Sequence, residues 1–268
     1  MRFSANLGFL FTDRPLPNAI RAAAAAGFDA VECHFPYTED PGEVRAALAD
    51  TGLEMLGLNT WPGDRAAGDF GLCALPDRLT EARTAIDQAM DYAQAIGAKA
   101  VHVMAGRSGE DAERRRSADA VFRDSLAYAC DRASKVGGEV TVLIEPLNLR
   151  DVAGYHLTDL DHGAELIAAV DAPNLRLMFD SYHLQIMGGD LTGRFARHRD
   201  LIGHVQMAAV PDRGEPGAGE VDLFWLCSWL HAQGWESPVG AEYRPRNSTT
   251  ESSLSWLPQF QAIGTPVT

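Results

Sequence analysis

Short apolar runs alternate with helix-type runs from one end of this chain to the other, and the alternation repeats eight times. RFSANLGF precedes PNAIRAAAAAGF, AVECHF precedes DPGEVRAALADTG, and EMLGLNT leads through a long Gly-containing loop to LTEARTAIDQAMDYAQAIGA. AVHVMAG, TVLIEPLN, LRLMFDSYH, HVQMAAV and PVGAEYRP open the remaining five units. The helical runs carry apolar residues three and four apart, as at Ile86, Ala89, Met90 and Ala93, or Leu166, Ile167 and Val170. Glycines at 27, 52, 97, 137 and 234 read as helix stops. The strand runs are short and almost continuously apolar, as strands of a parallel sheet covered on both faces must be. Eight such units in 268 residues predict an α/β fold, a single (β/α)8 TIM barrel spanning residues 1–268 as one domain. The open, doubly wound sheet is the alternative. It usually carries a Gly-rich turn after its first strand, and ANLGFLFTDRP holds no GxGxxG.

Charge removes whole classes of function. Asp and Glu number 37 against 23 Lys and Arg, a formal net charge of −14. Such a surface repels nucleic acid and anionic membranes, so neither is an expected partner. The opening stretch MRFSANLGFLFTDRPLPNAI has only a short apolar run, interrupted by Asp13, and reads as neither a signal peptide nor a membrane span. The four cysteines, Cys33, Cys73, Cys130 and Cys227, are scattered and form no CxxC, which suits reduced, buried thiols in a cytoplasmic protein.

In a barrel of this kind the chemistry sits where strands end and βα loops begin. Four consecutive units place an oxygen-bearing side chain there: Glu145 in LIEPLN, Asp180 in MFDSYH, Gln206 in HVQMA and Glu242 in GAEYRP. They lie about one βα unit apart. A lone acid after a strand is most often a helix cap or a solvated loop residue. Four in register on adjacent strands are a different matter, because three buried carboxylates repel one another unless a cation joins them. Carboxylates and a carboxamide are hard ligands, suited to Mg2+ or Mn2+. Pro146 biases Glu145 to an extended backbone at the strand end.

At these residues the chain resembles the hydroxypyruvate isomerase family, within the xylose isomerase-like TIM barrels. The likeness runs nearly end to end through RFSANLGFLF, GFDAVECHFPY, AAGDFGLCALPDR, LIEPLN, FDSYHLQIM, GHVQMA, RGEPGAGE and EYRP. RGEPGAGE and the glutamine of HVQMA are its most specific parts; sugar 3-epimerases of the superfamily usually have His at the latter. The resemblance implies that Glu145, Asp180, Gln206 and Glu242 hold the divalent metal and that Glu145 and Glu242 are the catalytic acid–base pair. It implies an isomerase of carbohydrate metabolism that interconverts hydroxypyruvate and 2-hydroxy-3-oxopropanoate. The loop AAVPDRGEPGAGE departs from the Asn-Pro-His-Arg-like version of many relatives, and GLNTWPGD and HVMAG also differ. Some relatives isomerise four-carbon 2-oxo acids, so a 2-oxo-tetronate is the alternative substrate.

The charge of such a site calls for a cation to meet an anionic 2-oxo acid. Arg213, opening RGEPGAGE, is expected at the substrate carboxylate. His183 is expected to donate to a substrate oxygen, with His102 and Asn59 as further substrate-binding candidates at other strand ends. The Gly- and Ala-rich AAGDFGLCALPDR is either a lid or a packed excursion over the rim. RSGEDAERRRSAD is expected to be a solvated loop without a role. Two other functions remain in play: a ketose 3-epimerase using the same two glutamates, and a sugar-sensing barrel without turnover. A nuclease on this fold would want a basic face and many His ligands for zinc. Oligomeric state is not legible, and a homo-oligomer is left open.

Overall fold

The computed structural model describes residues 1–136, 140–247 and 249–265. Its frame is one parallel sheet of nine short strands: β1 (Phe3–Asn6), β2 (Ala30–Glu32), β3 (Glu54–Met55), β4 (Leu58–Asn59), β5 (Ala100–His102), β6 (Thr141–Ile144), β7 (Leu175–Asp180), β8 (Ile202–Met207) and β9 (Val239–Ala241). Their spatial order is β3-β2-β1-β9-β8-β7-β6-β5-β4. β3 and β4 are two halves of the third stave, parted by Leu56 and Gly57. Leu56 N–H donates to Val31 and Cys33 N–H to the Gly57 carbonyl, so the break stays stitched and the barrel has eight staves.

The helices are α1 (Leu16–Ala25), α2 (Pro41–Thr51), α3 (Leu79–Ile96), α4 (Ala112–Lys135), α5 (Leu160–Val170), α6 (Ser181–Ile186), α7 (Leu191–His198), α8 (Leu223–Ala232) and α9 (Leu257–Gln261). Aspartate side chains cap five of them, Asp180 at α6 among them. Asp40, Asp111, Asp159 and Asp222 each accept a backbone N–H of the first turn through the side chain. Gly52 and Gly97 stop α2 and α3 in the left-handed conformation that only glycine adopts without strain. Gly137 lies outside the described residues. Among those residues no helix is long and apolar enough to cross a membrane, and all four cysteines are buried and free.

One expectation changes and one alternative is decided. RSGEDAERRRSAD is not a loop: α4 begins inside it at Ala112, because Asp111 caps the helix on Arg114 N–H and Glu113 lies in the positive first turn. AAGDFGLCALPDR packs over the rim. Leu72, Cys73 and Ala74 are buried, and Cys73 and Ala74 donate to the carbonyls of Met104 and Ala105.

Two kinds of core result. A large apolar layer lies between staves and helices, with Phe3, Val31, Val101, Val142, Phe179 and Val205. A small separate cluster of Ala100, Leu143 and Met178 lines part of the interior. Much of the rest of that interior is polar: Ser4, Asn6, Glu32, His204 and Gln206 are all buried. Register sets polar strand ends side by side, Asn6 against Glu32, Asn59 against His102 and Asp180 against Gln206. The β7–β8 ladder is irregular below that level. Leu177 pairs with Ile202 but Met178 pairs with His204, leaving Gly203 over.

Candidate active site

The strand ends open into a cavity of about 460 Å3, lined among others by Glu145, Glu242, His183, His102, Asn59 and Arg213. Six of the eight expected residues thus face one space. Asp180 and Gln206 lie at its floor: the Arg213 Nη2 that reaches Glu242 is 3.5 Å from Asp180 Oδ2, and Gln206 borders a small hollow shared with Glu145 and Glu242.

Glu145 follows β6 and is 6% exposed. Its Oε1 has no hydrogen-bond partner among the described residues, and the same holds for Asp180 Oδ2 and Gln206 Oε1. Asp180 spends its other oxygen on Tyr182 N–H at 2.8 Å, which caps α6. Three buried acceptors on three adjacent staves therefore lack donors, a costly arrangement for a protein left to itself. Glu242 is satisfied: His34 Nε2 meets Oε1 at 2.8 Å and Arg213 Nη2 donates to Oε2 at 2.8 Å. All four residues present oxygens, so the set fits a hard divalent cation.

Glu145, Asp180 and His183 also offer ligand atoms close enough together to share a metal. The tautomer argues against His183. Its Nδ1 accepts the backbone N–H of Asn148 at 3.1 Å, so the neutral ring carries its proton on Nε2. That Nε2 lies 3.7 Å from Asp180 Oδ2 and 4.0 Å from Glu145 Oε1. It is a donor aimed into the site, not a ligand.

Burial, the negative charge of Glu242 and that of Asp180 push Glu145 well above the ordinary carboxylate range. Burial raises Asp180 to about 7, even though Arg213 opposes it. Burial alone would raise Glu242 too, but Arg213 and the His34 hydrogen bond outweigh it and hold that carboxyl at about 2. The two glutamates are thus pushed apart, one toward the acid form and one firmly ionised. Burial lowers His102 to about 4 and, together with Arg213, takes His183 well below its usual value, so both rings are neutral.

Arg213 is set by more than charge. Its guanidinium lies 5.0 Å from the ring centres of both Phe9 and Tyr182. Its backbone is left-handed, φ 56°, and its carbonyl accepts Arg244 N–H at 2.7 Å. It faces Glu242 and Asp180 from within the cavity. Arg244 and Arg65 line the same cavity. His102 Nδ1 is 3.7 Å from Glu145 Oε2, and Asn59 sits beside it across the β4–β5 ladder.

Reading only the last four strands misses Glu32, Asn6, His34 and His204. Glu32, the last residue of β2, accepts from Asn6 Nδ2 at 3.0 Å and Gln206 Nε2 at 2.8 Å, and pairs with His204 Nε2 at 2.6 Å. It holds the Gln206 amide by its nitrogen, which leaves Oε1 without a partner among the described residues. The strand-end rule, applied to β1 and β2, picks out Asn6 and Glu32 as well.

Comparison with known proteins agrees with this geometry. Residues 20–260 match the family model described as a xylose isomerase-like TIM barrel. A 2-oxo-tetronate isomerase of Cupriavidus necator is 42% identical over 259 residues, covering 97% of this chain and 98% of the relative. The hydroxypyruvate isomerase of Escherichia coli K12 is 36% identical over 263 residues, 97% of this chain and all of the relative. A crystal structure of an AP endonuclease, family 2, from Brucella melitensis superposes with a TM-score of 0.89 at 38% identity, covering 96% of this chain and 98% of that one. The chain belongs to the hydroxypyruvate isomerase family of xylose isomerase-like TIM barrels.

Proposed function

We propose that the protein is a metal-dependent isomerase of a small 2-oxo acid, moving a proton between C2 and C3 of hydroxypyruvate. A 2-oxo-tetronate presents the same reacting atoms with a hydroxymethyl group in place of one C3 hydrogen, and it is the second reading because a relative of that name is 42% identical. The observation that carries the proposal is the trio of donorless buried oxygens beside two glutamates whose surroundings push their carboxyls in opposite directions.

Glu145, Asp180, Gln206 and Glu242 would hold the cation. When bound, it supplies positive charge to the oxygens on which the enediolate's charge develops. The chain does the rest. Glu145 and Glu242 stand at the ends of the fifth and eighth staves and bracket the substrate. One removes a proton from C3, the C2–C3 double bond of an enediolate forms, and the other delivers a proton to C2, while the oxygen-bound proton passes from O3 to O2. His183 Nε2–H, fixed by Asn148, is placed to donate to a substrate oxygen. Arg213 meets the carboxylate, with Arg244 beside it in the same cavity. The aromatic faces of Phe9 and Tyr182 keep water from the guanidinium.

The test is kcat/KM on hydroxypyruvate, a 2-oxo-tetronate and neutral dihydroxyacetone, for wild type and Arg213→Ala. Loss of a desolvated carboxylate pair removes about 2–5 kcal/mol of binding. The loss should be much larger for the two acids than for dihydroxyacetone. An equal loss on all three takes the carboxylate away from Arg213, and a wild-type preference for neutral ketoses replaces the oxo-acid reading with the epimerase.

A further inference from the structure

Outside the barrel mouth, a second group of metal-type side chains meets at one point. Asp119 on α4, His156 in the loop after β6 and His162 on α5 converge: both imidazole Nε2 atoms meet the same Asp119 Oδ1, at 3.0 and 2.8 Å. Their ligand atoms lie within metal-sharing reach of one another. His156 is fully buried and fixed on every side. Its Nδ1 meets Ser108 Oγ at 3.0 Å, its backbone N–H donates to Gly106, and its carbonyl accepts from Arg115. The guanidinium of Arg115 is occupied by the carbonyls of Gly109, Tyr155 and His156. Asp119 and His162 are partly exposed, so an ion could enter from solvent. None of these residues takes part in the chemistry proposed above.

We propose that Asp119, His156 and His162 form a second metal site, which takes a borderline transition ion such as Zn2+ and leaves one position for water. Two imidazoles and one carboxylate are a donor set that suits zinc, unlike the all-oxygen set at the strand ends. Bonds of about 2.0–2.1 Å in a tetrahedron put neighbouring ligand atoms about 3.3 Å apart. The nitrogens must withdraw a few tenths of an ångström from Asp119 and close on each other from a separation within 4.8 Å. Neither neutral ring loses a proton overall. His156 shifts its hydrogen from Nε2 to Nδ1, and Ser108 Oγ turns from donor to acceptor, the outer partner that a ligating histidine requires. The ion would tie α4 and α5 to the loop that carries Leu147, Asp151 and Val152 on the wall of the catalytic cavity.

The test uses the full-length protein, stripped of metal and then loaded with Zn2+ or Co2+. Wild type, His162→Gln, Asp119→Asn and the double variant Asp180→Asn/Glu242→Gln are passed through gel filtration, and retained metal is measured by elemental analysis. Wild type should retain one equivalent of Zn2+ more than His162→Gln, and the double variant should keep that equivalent. With Co2+, the double variant should show the intense visible absorption of a tetrahedral centre. Equal zinc in wild type and His162→Gln, or loss of the tetrahedral band in the double variant, overturns the proposal. Asp119→Asn decides if His162→Gln does not fold, since it keeps an acceptor for both rings while weakening the ligand. The catalytic reading stands or falls separately, on substrate turnover.

Discussion

Glu32 and Glu145 stand at the ends of two staves of one barrel and are 4% and 6% exposed, yet their surroundings are opposite. Glu32 is met by Asn6, Gln206 and His204. Among the described residues nothing meets Glu145 Oε1, and the negative charges of Glu242 and Asp180 repel it. Burial is equal, so burial does not distinguish a structural acid from a reactive one. What differs is whether the fold supplies donors. Where it does, the carboxylate is part of the frame; where it does not, the unmet demand is available for a cation or a moving proton.

The largest test of this contrast is kinetic. Glu145→Gln and Glu242→Gln should each lower kcat by about 10²–10⁴-fold, the scale of a lost acid or base. Glu32→Gln, which keeps its shape and one acceptor, should retain far more activity. Comparable losses in steady-state assays would erase the distinction. Next is stability. Glu32→Ala strands His204 and the Gln206 amide and should cost about 3 kcal/mol or more in denaturant unfolding. Glu145→Gln in chelated protein should cost nothing, or raise Tm, because a buried carboxyl that is costly to ionise is gone. A clear destabilisation by Glu145→Gln would show that the carboxylate is supported after all.

Cation binding comes third. Mg2+ or Mn2+ at a hundred times its Kd should raise wild-type stability by about 2.7 kcal/mol. Glu145→Gln should lose much of that gain, and extensive chelation should abolish turnover. Full activity in protein proven metal-free by elemental analysis would falsify the metal reading. The smallest effect is in pH. Asp180 is raised to about 7 and Glu145 higher than usual, while both titrate near 4 in the unfolded chain. Between pH 8 and 6.5 the folded Asp180 takes up a proton that the unfolded chain does not, while the buried His102 and His183 stay neutral where the unfolded chain gains protons. The Asp180 share is read as the metal-free Tm of wild type minus that of Asp180→Asn, which should rise as pH falls. Bound metal competes with that proton and should flatten or reverse the slope. A difference that falls across this window contradicts the raised carboxyl.

How far the sequence revealed these features depended on range. The eight units were legible because helix periodicity and the Asp and Gly caps are local signals, as at Asp40 and Gly52. Glu145, Asp180, Gln206 and Glu242 were legible because each ends its own stave. Glu32 also ends its stave, so its place was legible; its role in the frame was not, since its partners come from positions 26, 172 and 174 residues away and leave no local pattern. The start of α4 was hidden by its density of charge, which reads as solvated chain although Asp111 is a sound cap. The short α6 was hidden because its cap, Asp180, doubles as a residue of the site.

The irregularity between β7 and β8 sets a matter of parity. Side chains on a strand alternate, so what faces the axis is decided by odd or even count from the last fixed pair. Paired straight through from Leu177 and Ile202, the ladder would put Val205 beside Asp180 and turn Gln206 out toward the helices. The surplus Gly203 changes the count by one and brings the carboxamide in. It can do so because it has no side chain: a Cβ there would lie 2.6 Å from that of Arg176. The fourth oxygen of the site is thus chosen three residues upstream by backbone arithmetic. Shortening or lengthening β8 by one residue is equivalent to deleting Gln206, although the residue would still be present in the sequence.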